Sequence, residues 1–265
     1  MEDEEDEDKE EEDKGVLDDL SGFPVHLLMR GSLNDGRWEA REEAEWRAGG
    51  LMETLDRALR TCLKETPLVE NNPEGGQPSS PIRMVTKWVD YSNKYGFGYL
   101  LSDGSTGVLL ADGTHIALCP QGQRVSYCAE AHRAASFLRR EVPASLAMKM
   151  GVLHFFTRYM QEWLMEGGHQ QASPASPPSG LSLLHFAKSE EALLMVFSDG
   201  TLQVNFYHDR TKVLLSRSEE GEFLLTFVDR QRRISTFPLG TLALEGWALP
   251  LRDRVAYALR MMRCL

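Results

Sequence analysis

The feature that most constrains how this chain folds is an internal repeat. VLLADGTHIAL (residues 108–118) and MVFSDGTLQVNF (residues 195–206) each place an apolar triplet and a small residue before Asp-Gly-Thr and an alternating run, with Gly113 and Gly200 87 residues apart. Asp-Gly between apolar runs is the signature of a tight hairpin, because the glycine accepts the positive φ the turn requires. Around each copy the same order recurs: period-two runs, a turn, more period-two runs, then a helical pattern. One hairpin is common, but this order occurring twice points to a duplicated α+β unit. A twisted sheet has two faces and a single helix covers one of them. The two copies are therefore expected to pack together, leaving a seam where an extended peptide could add to an edge or fill a groove.

The copies are bounded by composition. The first is expected over 82–168, with strands near Tyr95–Leu101, Val108–Ala111, His115–Cys119 and Arg124–Ala129, then a helix over Pro143–Glu166. The second is expected over 181–265, with six strands starting at Leu181, Ala192, Thr201, Lys212, Glu222 and Arg232 and a closing helix over Leu249–Leu265. Each copy thus reads as an antiparallel sheet of about six strands with one C-terminal helix. Residues 169–180, HQQASPASPPSG, read as a linker. Upstream, residues 39–66 carry Leu51, Leu55, Leu59 and Cys62 at helical spacing, and Gly49-Gly50 is expected to divide that region into two helices. Residues 1–19 hold thirteen acids and two lysines, which account for the whole net charge of −11. They read as a disordered acidic tail on an otherwise neutral chain. That charge pattern argues against nucleic acid as a partner, since phosphate-backbone affinity comes from excess Lys and Arg. The lack of any run of about eighteen apolar residues argues against a membrane span, and the acidic start argues against a secretory signal.

Nothing in the chain supplies an enzyme's chemistry. A nucleotide-binding kinase loop, a catalytic His-Arg-Asp and an Asp-Phe-Gly are missing, as is a Walker loop. The cysteines form no Cys-x-x-Cys and the histidines no His-x-x-x-His, so neither a metal nor a cofactor is expected. His208 and Asp209 are adjacent, which on a strand would point them to opposite faces.

Several long motifs are more specific. VTKWVDYSNKYGFGYLLSDGSTGVLLADGT (85–114), YMQEWLMEGG (159–168) and LLMVFSDGTLQVNFYHDRTKVLL (193–215) resemble, in order, the start of the first polo box, the end of its helix and the heart of the second polo box of the polo-like kinases. The wording is similar to the branch holding the second, third and fifth family members. With no kinase motif present, the fifth, kinase-deficient kind is the expected match. The resemblance implies two tandem polo boxes packed together, with residues 39–66 as the polo cap. It implies a non-catalytic module that binds Ser-pSer/pThr-Pro segments of partner proteins in the groove between the boxes, in the nucleus or cytoplasm, in cell-cycle or differentiation control. Residue by residue, Trp88 matches the tryptophan that packs on the serine before the phosphoresidue, and Leu164 the leucine whose backbone pairs with that serine. Asp90 matches an aspartate beside the groove. Lys212 matches the lysine of the phosphate pincer, and Arg210 stands where the family has histidine. If both lie on one strand they point the same way and clamp a phosphate; if the arginine's length blocks the pocket, protein binding or self-association without phosphate is the alternative. Ser79-Ser80-Pro81 itself has the form that the family groove prefers.

Overall fold

The computed structural model describes residues 42–65, 67–76, 82–129, 134–164, 181–263 and 265; the acidic tail, the linker and Ser80 lie outside them. In chain order the elements are α1 (Glu42–Glu65), β1 (Leu68–Val69), β2 (Val85–Tyr91), β3 (Gly96–Leu101), β4 (Thr106–Leu110), β5 (His115–Leu118), β6 (Arg124–Cys128), β7 (Ala134–Leu138), α2 (Ala147–Glu162), β8 (Leu183–Lys188), β9 (Ala192–Phe197), β10 (Leu202–Phe206), β11 (Lys212–Arg217), β12 (Phe223–Val228), β13 (Ile234–Pro238), α3 (Leu239–Glu245), β14 (Trp247–Ala248) and α4 (Leu249–Met262). They fall into two units, one built from residues 85–182 and the other from 33–84 together with 183–265.

In the first unit β2 to β7 form a six-stranded antiparallel sheet whose spatial order is the sequence order. Met150, Leu153, Phe156 and Met160 recur at three- and four-residue steps along α2 and bury against Val89, Leu100, Val108, Ile116 and Val125. Each such side chain contributes about 1.5–3 kcal/mol through burial. Gly98 permits the close approach: a Cβ there would sit 2.5 Å from the Phe156 ring. On the sheet's other face the buried Tyr99 hydroxyl meets His115 Nε2 at 2.8 Å and donates to the Leu181 carbonyl at 3.2 Å. Burial holds the His115 imidazole neutral, with its pKa pushed down to about 3.

The second unit repeats the plan. Strands β8 to β13 form a second six-stranded antiparallel sheet in sequence order, followed by α3 and α4. Leu251, Val255, Ala258 and Leu259 of α4, with Leu55 and Leu59 of α1, bury against Leu194, Val196, Val204, Val213 and Leu215. The N-terminal helix therefore joins the second unit. There β1 pairs parallel with β14, and Gly76 bridges Thr236 on the outer side of β13. Two expectations need correction. A single helix runs through Gly49-Gly50 instead of stopping there; two glycines weaken a helix by about 1 kcal/mol each, and packing of its later turns through Leu55, Leu59 and Cys62 outweighs that. The strands β2 and β7, absent from the sequence-derived set, complete the first sheet.

The repeat is real, but its register differs from the sequence alignment. Strand for strand, β2 matches β8, and both first strands carry an irregularity at the same place, between Val85 and Lys87 and between Leu183 and His185. The Asp199-Gly200 turn after β9 is therefore the counterpart of Asp103-Gly104 after β3. The Asp112-Gly113-Thr114 turn after β4 is matched by Asp209-Arg210-Thr211 after β10. Gly113 and Gly200 therefore stand one hairpin apart in the repeat.

Candidate functional site

Three of the five expected site residues lie in the first unit. Strand β2 ends the sheet order, so no strand pairs with its outer side among the described residues. Such an edge is a template for an added strand. Trp88 and Tyr99 are cross-strand partners, and the half-buried indole stacks on Phe97 with centroids 5.8 Å apart and planes 8° from parallel. It faces away from α2, since its neighbour Val89 points into the helix side. Lys87 also points to the helix side. It is buried, and its ammonium donates to the Met160 carbonyl at 2.8 Å, near the end of α2. A cation at a helix C-terminus meets orphan carbonyls and the negative end of the dipole. Lys87 thereby ties the strand that carries Trp88 to the helix end, just before Leu164, which packs half-buried on the same core. Sequence reading missed Lys87 because a lysine in a period-two run reads as solvated. Asp90 is buried, and its Oδ1 accepts from the Ser92 backbone at 3.0 Å and the Ser92 hydroxyl at 2.6 Å. It fastens the turn between β2 and β3.

The other two residues lie in the second unit, one in a turn and the other at the start of the strand that follows it. Lys212 is the first residue of β11, half-buried, with Asn205 and Val228 as cross-strand partners on the face away from α4. Arg210 is not on that strand. It sits in the turn after β10, exposed, at φ 59°, the left-handed conformation that its counterpart Gly113 adopts at φ 81°. The expectation that two-residue spacing puts both cations on one strand face therefore fails, because the turn closes through Thr211, whose carbonyl accepts from Phe206 N at 3.0 Å.

A second turn lies at the same end of this sheet. Lys212, Val228 and Ile234 are successive cross-strand partners on β11, β12 and β13, and the turn Asp229–Arg233 follows Val228 directly. Arg230 from this turn reaches Asp209 at 3.5 Å, which joins the two turns. The turn carboxylates are both occupied: Asp209 by Arg254 and Arg230, Asp229 by Arg233 at 2.7 Å. Arg232, exposed and at φ 64°, is an arginine whose charge acts on Lys212. Burial and the Arg232 charge push the Lys212 pKa down to about 8. Asp209 goes the other way. Its burial works against ionisation, but hydrogen bonds from Thr211 and Arg254 outweigh that and hold its pKa at about 2. This end of the sheet is a positively charged node that can accept an anion, and sequence reading did not name Arg232, which lies twenty residues beyond Lys212. Among the described residues no group of three His, Cys, Asp or Glu side chains comes together as a cation site. No described helix is long and apolar enough to cross a membrane.

The model of the POLO box duplicated region matches residues 93–150 and 189–255, one segment in each unit. The chain belongs to the polo-box family of the polo-like kinases. Over 245 residues it is 40% identical to the serine/threonine-protein kinase PLK2 of Mus musculus, covering 92% of this chain and 36% of that protein. Over 243 residues it is 39% identical to the inactive serine/threonine-protein kinase PLK5 of Mus musculus, covering 90% of this chain and 39% of that protein. The chain thus spans about two-fifths of the length of the curated relatives it matches. Among solved structures, the polo-box domain of Cdc5 from budding yeast in complex with an Spc72 phosphopeptide aligns with a TM-score of 0.57 at 24% identity, over 80% of this chain and 82% of that one. The same yeast domain in complex with the Dbf4 polo-interacting region aligns with a TM-score of 0.56 at 25% identity, over 80% of this chain and 87% of that one. The two six-stranded sheets, each followed by helix, are the tandem polo boxes of this fold.

Proposed function

We propose that this polo-box chain is a non-catalytic recognition module for phosphorylated Ser-pSer/pThr-Pro segments of partner proteins, working in the nucleus or cytoplasm as part of a kinase-deficient polo-like kinase. The observation that carries the reading is Lys212: a half-buried ammonium at the start of β11, on the sheet face away from α4, in a cation-rich end whose carboxylates are already taken. A phosphate monoester carries a charge of about −1.5 to −2 at neutral pH and three acceptor oxygens. Charge-assisted hydrogen bonds to such a group contribute about 1.5–3 kcal/mol each. The resemblance assigns the residue before the phosphate to Trp88 and Leu164, whose strand and helix end Lys87 holds together. The complex of the Cdc5 domain with a phosphopeptide supports the ligand class, and the inactive relative supports recruitment without catalysis.

The test is fluorescence anisotropy with a labelled Ser-pThr-Pro peptide and its unphosphorylated twin. The chain binds the phosphorylated form more tightly, and Lys212→Met weakens that binding by about 10- to 100-fold, the equivalent of one charge-assisted bond. Equal affinity for both peptides would instead favour a phosphate-independent scaffold or self-association.

A further inference from the structure

We infer that Arg232, in the turn between β12 and β13, is the second cation that grips the ligand's phosphate beside Lys212, in place of Arg210. The inference rests on the phosphopeptide reading and names its second positive group. Lys212, Val228 and Ile234 form one cross-strand row on the face turned away from α4, and Arg232 lies two residues before Ile234, at the mouth of that row. Its backbone is fixed there: Arg232 N donates to the Asp229 carbonyl at 2.9 Å and Asp229 N to the Arg233 carbonyl at 3.0 Å. Among the described residues its guanidinium enters no ion pair, whereas Arg230, Arg233 and Arg254 are each held by a turn carboxylate.

Two cations at one end of a sheet repel one another. Lys212 reports this: alongside burial, the Arg232 field lowers its hold on a proton. A bound dianion removes the repulsion and gains contact from both. The planar guanidinium adds two parallel donors, which an ammonium cannot. Arg210 faces a different constraint. It replaces the glycine of a hairpin turn, with its backbone in the left-handed region, and it begins outside the strand that carries Lys212. Two glycine-type turn positions of this box thus hold arginine, and the one beside Lys212 is Arg232.

That backbone makes a clean experiment, because glycine suits both positions better than arginine does. Arg232→Gly and Arg210→Gly remove a charge without straining the fold. Both variants, and Arg232→Lys, are made in the 265-residue chain and measured by anisotropy with the Ser-pThr-Pro peptide and its plain twin, alongside a thermal melt. Arg232→Gly lowers phosphopeptide affinity at least tenfold, leaves plain-peptide affinity unchanged and does not lower the melting temperature. Arg232→Lys recovers part of the loss. Arg210→Gly costs less than Arg232→Gly. Wild-type affinity in Arg232→Gly, or a larger loss in Arg210→Gly, overturns the inference while leaving the phosphopeptide reading intact. A wild-type chain that cannot tell the two peptides apart removes that reading and this inference with it.

Discussion

Both boxes fasten the turn after their third strand to their closing helix with an Asp-x-Thr motif and a helix cation, yet they do so in different surroundings. In the first box Asp112 Oδ1 accepts from Thr114 N at 3.0 Å and from its hydroxyl at 2.6 Å, and Lys149 of α2 bonds Asp112 at 2.5 Å and the Thr114 hydroxyl at 2.7 Å. In the second, Asp209 Oδ1 accepts from Thr211 N at 3.1 Å and from its hydroxyl at 2.7 Å. Arg254 of α4 bonds Asp209 and, at 2.9 Å, the Thr211 hydroxyl. The Asp112 side chain is 54% exposed and that of Asp209 7%. The same wiring is a surface latch in one box and a buried one in the other. The buried one holds the turn that leads into Lys212. The second box therefore keeps its proposed phosphate end rigid, whereas the first box presents its tryptophan on a strand edge.

The largest effect that sharpens this contrast concerns how each sheet meets its helix. Val89 pairs with Gly98 in the first box, and at the matching place in the second Ala187 pairs with Leu194. The first box fills the space with the Phe156 ring over a glycine, the second with a leucine from the sheet. Leu194→Ala leaves a cavity in a fully buried site and costs about 3–4 kcal/mol. Gly98→Ala pushes a methyl into the Phe156 ring and costs about 1–3 kcal/mol. Urea unfolding checks both, and equal small losses would say the two interfaces are packed alike.

The latches come next. Asp209→Asn strips the charge from a buried, paired site and leaves Arg254 without it, at a cost of about 3 kcal/mol. Asp112→Asn, at an exposed pair, costs less than about 1 kcal/mol. The folded-state pKa of Asp209 lies below its unfolded value of about 3.9, so its stabilisation is complete above about pH 4 and is lost as the pH falls towards 2. Asp112, lowered by Lys149 and Thr114 against its own burial, contributes in the same direction but less. The stability gap between wild type and Asp209→Asn should be constant above about pH 4 and narrow as the pH falls towards 2; a gap that does not change over that range would contradict the buried latch.

Most of the architecture could be read from hairpin chemistry. Asp-Gly pairs and period-two runs placed the strands β3 to β6 and β8 to β13 within a few residues, and the apolar spacing placed α2 and α4. Strand β2 escaped because its buried face carries Lys87, whose partner is a helix carbonyl seventy-three residues away. The repeat was matched one hairpin out of step because the first box writes Asp-Gly at two successive turns while the second keeps glycine in only one. At the other, Asp209 and Thr211 preserve the motif around an arginine. Trp88, Leu164 and Lys212 were named through resemblance to a family. Arg232 had no local signal at all, since antiparallel pairing of β11 with β12 is what brings it to Lys212.

The smallest effect tests that substituted turn directly. Gly113→Arg in the first box writes into it what the second box has at Arg210. The residue sits at φ 81° with open space around a Cβ, so the cost is backbone conformation alone. Moving a non-glycine residue into the left-handed region costs about 1 kcal/mol. A thermal or urea melt should show that loss with no change in peptide binding, because the first-box turn carries His115 where the second carries Lys212. If the new arginine instead raised phosphopeptide affinity, an arginine at this turn position would itself be able to reach the ligand. Arg232 would then have to outcompete Arg210 for the phosphate beside Lys212 for the neighbouring turn of the second box to matter.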